Sequence, residues 1–146
     1  MDNIQNLIQI MQSAISPIVL ISGVGLLLLS FTNRLGRVID RARFLVKEVE
    51  NGNQNEIIPI QINILYKRGR ILRTAITSIV VTVLVASLLI LLLFFGFLTD
   101  WNMKFLFLSF FIIAIISLII SVMLFLADVT LALKALKLQV KGFIQK

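Results

Sequence analysis

Residues 74–98 read TAITSIVVTVLVASLLILLLFFGFL, twenty-five positions without a charge. A helix rising 1.5 Å per residue needs about 20 apolar residues to cross the hydrocarbon of a bilayer. The run is too long for a strand and lacks the alternation that gives a strand one wet face. Its length implies tilt, or ends that reach past the hydrocarbon. Two further uncharged runs flank it in the chain: residues 16–32, SPIVLISGVGLLLLSFT, and residues 105–127, FLFLSFFIIAIISLIISVMLFLA. Three crossings predict an all-α integral membrane protein.

The composition agrees. Of 146 residues, 59% are hydrophobic and 14% charged, where soluble domains carry about 45–50% and about 25%. A water-soluble fold of this size could not cover so much apolar surface. Neither His nor Cys occurs. Ser-His and Cys-His catalysis, disulfides and the ordinary zinc sites are thereby excluded. The expectation is a protein that is not an enzyme and holds no cofactor or metal.

The net charge is +7. In a soluble chain that would point to nucleic acid, but RNA-reading aromatic motifs and zinc-finger spacings are absent. Its distribution points elsewhere. Arg34, Arg37, Arg41, Arg43, Lys47, Lys67, Arg68, Arg70 and Arg73 lie between the first and second runs, and Lys134, Lys137, Lys141 and Lys146 follow the third. Only Lys104 lies between the second and third. The excess of Lys and Arg on cytoplasmic flanks then places the N-terminus outside and the C-terminus inside. Asp2 stands where a secretory signal would be basic and no small-residue cleavage site follows, so the first run reads as a retained span.

The expected division is a single membrane domain, 1–146, with an amphipathic outer helix at 1–15, spans at 16–32, 74–98 and 105–127, a cytoplasmic helical hairpin at 33–73, and a basic tail at 128–146. Ile4, Leu7, Ile8, Met11 and Ile15 give the outer helix its apolar face. Ser16-Pro17 has the form of a helix start, which predicts a break there. Leu35, Val38, Ile39, Ala42, Leu45, Val46 and Val49 carry the helical period to Glu50, where Asn51-Gly52-Asn53 stops it. A second arm starts near residues 55–59, carries Ile58, Ile62, Leu65 and Leu72 as its stripe, and continues into the second span. Gly36 and Gly69 are candidates for close approach of the two arms. Each arm has more apolar surface than one partner need cover, which predicts self-association. Trp101, in the turn 99–102, fits an interfacial aromatic belt, and Tyr66 an interface anchor. Leu131, Leu133, Leu136, Leu138 and Val140 among Lys134, Lys137 and Lys141 predict a basic amphipathic tail helix on the inner leaflet.

One spacing points to function. Gln9, Ser16, Gly23, Ser30 and Arg37 are seven residues apart, with Leu20 and Leu27 beside them and Arg34 and Arg41 continuing the face. In a homo-oligomer this face would line a pore, with leucines as constriction and arginines ringing the inner mouth. Small residues at that spacing also serve tight helix packing. Asp128, the one acid near the inner end of the third span, is costly at membrane depth unless partnered. Arg34 and Arg73 stand at similar depth, so an interhelical ion pair of Asp128 with Arg34 and Arg73 is expected, and a proton relay is the alternative. Thr74, Thr77, Ser78, Thr82 and Ser87 are expected to bond back to their own helix carbonyls.

The run Gly25-Leu26-Leu27-Leu28-Leu29-Ser30-Phe31-Thr32-Asn33-Arg34-Leu35-Gly36-Arg37, with Asp40-Arg41 and Arg43 after it, resembles the bacterial membrane family known as domain of unknown function 2721 (DUF2721). Ser16-Pro17 and Arg70-Ile71-Leu72-Arg73 fit it too. The resemblance implies a small three-span protein of the bacterial inner membrane and supplies no activity. Two functional classes remain as expectations: a homo-oligomeric ion channel lined by the first helix, and a non-conducting scaffold or accessory subunit whose basic hairpin binds a cytoplasmic protein or anionic lipid. No nucleic-acid partner is expected.

Overall fold

The computed structural model describes residues 2–52, 57–99 and 104–144; the side chains of 2, 3, 5–7, 9, 10, 13, 14, 16, 17, 97–99 and 138–144 lie outside that description. The fold is all helical: α1 spans Asp2–Glu50, α2 Ile57–Thr99 and α3 Lys104–Ile144. Each is long and apolar enough to cross a membrane, and together they mark a multi-pass membrane protein. Large apolar side chains stand outward all along the spans, among them Leu26 and Leu29 on α1, Val80, Leu84 and Phe94 on α2, and Ile112, Ile116 and Met123 on α3. Water would not tolerate such a surface; lipid tails do.

The helices are longer and fewer than their sequence segments. No break occurs at Ser16–Pro17, since α1 runs through both. A proline removes one backbone hydrogen bond, and the turns on either side of it keep theirs. No separate tail helix exists either: α3 continues unbroken to Ile144, because Ala, Leu and Lys, all strong helix formers, dominate residues 131–141 and no proline follows Ala127. The turn at 100–103, with Trp101, falls outside the described residues.

The stop after α1 is as the sequence predicts. The Asn51 N–H donates to the Lys47 carbonyl and the Gly52 N–H to the Val49 carbonyl, both at 3.0 Å. Gly52 has φ 88°, a left-handed conformation that side-chain-bearing residues resist. Pro59 is the third residue of α2, inside the first turn, where its missing N–H would have had no intrahelical acceptor.

The chain divides into two compact units, Met1–Leu29 with Thr77–Ile120, and Ser30–Ile76 with Ser121–Lys146. In the first, Val24, Ile79, Thr82, Val85, Ala86, Leu89 and Ala114 are buried. The Ser117 hydroxyl donates to the Ser78 carbonyl at 2.8 Å, tying α3 to α2.

In the second unit α1 and α2 form the expected antiparallel hairpin, with Val38, Leu45, Ile58, Leu65 and Leu72 as its core. The hairpin is not a two-helix arm, however. The start of the 121–146 stretch of α3 packs against it: Phe125 joins the core, its ring stacked on Phe31 at 4.3 Å between centroids. The Ser121 hydroxyl donates to the Ala75 carbonyl at 2.7 Å.

Buried positions recur every seven residues on each helix: Val24, Phe31, Val38 and Leu45 on α1; Ile58, Leu65, Leu72, Ile79 and Ala86 on α2; Ala114, Ser121 and Asp128 on α3. Such a repeat keeps one seam of each helix turned to its partners.

Candidate functional site

The α3 ladder ends on a charge. Asp128 has no exposed surface, and a lone buried carboxylate would be prohibitive. Two arginines compensate it. Arg34 Nε on α1 lies 2.7 Å from Oδ2, and Arg68 Nε on α2 donates to Oδ1 at 2.8 Å. Arg68 Nη2 also donates to Oδ2 at 3.5 Å. One carboxylate thus ties together all three helices of this unit. The Arg34 guanidinium sits 5.1 Å from the centroid of the Phe125 ring, a cation–π contact beneath its charge.

Of the expected trio Asp128, Arg34 and Arg73, the structure brings the first two together and puts Arg68 in the third place. Arg73 is exposed and lines a groove between α1 and α2. The reason is angular. Leu65, Leu72 and Ala75 mark the inner face of α2 here, and Arg68 stands beside it. Five residues further on, Arg73 is turned about 140° away. Depth alone suggested Arg73; the phase of the apolar ladder would have pointed to Arg68.

The residues of the candidate pore face differ in exposure. Gly23, Ser30, Arg37 and Arg41 are exposed, whereas Leu20, Leu27 and Arg34 are half-buried. Gln9 and Ser16 belong to α1 but their side chains lie outside the description. The polar row stands one residue before the buried row Val24–Phe31–Val38, hence about 100° around the helix from the core. Leu20 and Leu27, the residues expected to constrict a pore, are partly covered within the single chain.

Two cavities flank this chemistry. A polar one of about 360 Å³ is lined by Ser30, Arg34, Arg37, Val38, Leu65, Arg68 and Phe125. A larger groove of about 660 Å³ runs between α1 and α2, floored by apolar residues such as Leu35, Ile39, Val46 and Ile62, with Arg43, Lys47, Arg70 and Arg73 on its walls and Glu50 its sole acid. Tyr66 lines it as well; its hydroxyl accepts a hydrogen bond from Arg70 Nη2 at 3.2 Å, so this tyrosine belongs to the groove wall.

Gly69 lies where a Cβ would sit 3.9 Å from Val38 Cγ1 and 4.0 Å from Leu35 Cδ1, so it faces α1 as the sequence suggested; Gly36 faces open space. The hydroxyls of Thr74, Thr82 and Ser87 bond back to Arg70, Ser78 and Val83 carbonyls. What the residue pattern did not reveal is that Ser117 and Ser121 reach across to α2 instead. Their positions, seven and eleven residues before Asp128 counted from the nearer, share the helix face of that acid, which was the available signal. Among the described residues no cluster of acids fit to hold a metal is present.

Residues 14–138 match the family described as protein of unknown function (DUF2721). No curated protein and no solved structure matches the chain.

Proposed function

The chain belongs to the DUF2721 family of proteins of unknown function, and from that premise we propose, on the geometry, that it is a non-enzymatic scaffold of the bacterial inner membrane, with its N-terminus outside, whose hairpin receives an acidic amphipathic helix of a cytoplasmic protein. The observation that carries this reading is the groove between α1 and α2. It has an apolar floor, and its walls bear four cations against one acid. Its α1 wall runs from Leu35 to Glu50, about 24 Å or four helical turns. A helix laid in such a groove buries its apolar stripe on the floor while its carboxylates meet the walls. Charge complementarity would steer the encounter and exclude basic helices.

The test is photocrosslinking in cells, with a photoreactive residue at Ile39 and a control at Leu26 on the lipid-facing side. The scaffold reading expects an Ile39 adduct whose peptide is acidic and amphipathic, abolished by Arg43→Glu combined with Arg70→Glu. Adducts containing only this chain's own peptides would replace a foreign helix by a second copy. Lipid adducts alone, unchanged by the charge reversal, would end the proposal.

A second reading, the homo-oligomeric channel lined by α1, draws on the exposed row Gly23, Ser30 and Arg37. It is weakened by Arg34, which is held by Asp128, and by the half-buried state of Leu20 and Leu27. Flux from liposomes separates the two. A scaffold passes no more ions than protein-free vesicles, and a channel would leak more with Leu27→Ser.

A further inference from the structure

The polar cavity beside Asp128 is a separate feature from the groove, and its charge does not balance. Arg34, Arg37 and Arg68 all line it, against the single carboxylate of Asp128 that pairs with two of them. Two guanidiniums carry about ten N–H donors and one carboxylate about four lone-pair sites, so most donors of Arg34 and Arg68 are left over. Arg37 is exposed and has no ion-pair partner among the described residues. Ser30 adds a hydroxyl to the wall.

Donors are not enough; they must be held in place. Asp128 fixes Arg34 and Arg68 through their Nε atoms, and Phe125 lies beneath Arg34. Two forks pinned by a buried acid lose little rotamer freedom when a ligand arrives. Planar forks around a small concave space suit a tetrahedral oxyanion, which accepts paired N–H bonds.

The depth narrows the ligand. Arg34 comes two residues after the uncharged run 16–32, Asp128 directly after the run 105–127, and Arg68 six residues before the run 74–98. Six residues are about 9 Å of helix, so the cavity stands just beyond the apolar stretches, at the level of lipid headgroups. We infer that this cavity binds a phosphate group, with Asp128 as the residue that positions Arg34 and Arg68, Arg37 as the cation that completes the site, and an anionic phospholipid headgroup as the favoured bearer of the phosphate.

The experiment is a melting titration of the full chain in a neutral detergent with three probes: short-chain phosphatidylglycerol, short-chain phosphatidylcholine and inorganic phosphate. A ligand that binds only the folded state raises the melting temperature saturably. The expected result is a saturable rise with phosphatidylglycerol and none with phosphatidylcholine. Arg37→Ala should weaken it about tenfold or more, the worth of a charge-assisted contact, and Arg37→Lys should fall between. Arg37 takes no part in the Asp128 pairs, so the unliganded melting point of both variants should match the parent. A rise with inorganic phosphate, equally sensitive to Arg37→Ala, keeps the site and assigns a soluble anion as its ligand. Indifference to both anions, equal response to the two lipids, or titrations that Arg37→Ala leaves unchanged would overturn the assignment.

Discussion

Asp128 has no exposed surface, while the side chains of Arg34 and Arg68 are 30% and 14% exposed. Removing the acid would strand two cations, one of them nearly out of solvent. Breaking a buried pair by deleting one partner costs about 3–5 kcal/mol, and partial access of solvent to Arg34 argues for the lower end. Asp128→Asn should therefore destabilise the protein by about 3 kcal/mol, read from unfolding in detergent micelles. Arg68→Ala should cost more than Arg34→Ala, since Arg68 is the less exposed. Arg73→Ala, outside the triad, should cost less than Arg68→Ala; a loss as large as that of Arg68→Ala would contradict the arrangement. The presence of a partnered acid was legible, because an unpaired one at that depth is untenable. Which arginine of α2 completes the group was not, because depth along a helix is read by counting whereas facing needs the phase of its buried side.

At the scale of the element, that same phase governs α1. The seven-residue period was visible in Gln9, Ser16, Gly23, Ser30 and Arg37, but the buried ladder is Val24, Phe31, Val38 and Leu45, one residue later. Polar and small residues mark the row conspicuously, while the apolar row beside it is lost among other apolar residues. In water the core row would stand out by contrast; in a span every face is greasy. Leu72 sits on the matching ladder of α2 with no exposed surface, so Leu72→Ala should cost about 2–5 kcal/mol, measured by the same unfolding. Glycines test the packing from the other side. At Gly69 a Cβ would meet Val38 and Leu35 at ordinary contact distance, so Gly69→Ala should raise stability by about 0.5–1 kcal/mol through helix propensity alone. At Gly52, with φ 88°, the same change should lower it by about 1 kcal/mol. Opposite signs for these two substitutions would separate helix interior from helix stop in one assay.

For the whole molecule the decisive quantity is where the charges lie along the chain. Three uncharged runs, with thirteen of fourteen cations between the first and second or after the third, are what the proposed threading rests on, because moving Lys and Arg across a bilayer during insertion is disfavoured. The spans could be read from composition because lipid imposes one requirement, internal satisfaction of every backbone group, and a long apolar helix is the direct answer. The closing of the hairpin by α3 could not be read so, since it rests on one serine, a stacked ring and one acid spread over residues 121–128. The threading has a clean test because the chain contains no cysteine. Asn102→Cys, between the second and third runs, should react with a membrane-impermeant maleimide in intact cells. Asn51→Cys, at the end of α1, should react only after the cells are opened. Asn51 follows the last residue of α1, and position 102 lies outside the three uncharged runs, so insertion should survive either change. The reverse pattern would invert the protein in the membrane, moving the groove between α1 and α2 away from every cytoplasmic partner. It would leave the phosphate site at headgroup depth, now in the opposite leaflet, so a failure of the scaffold reading would not by itself touch that site.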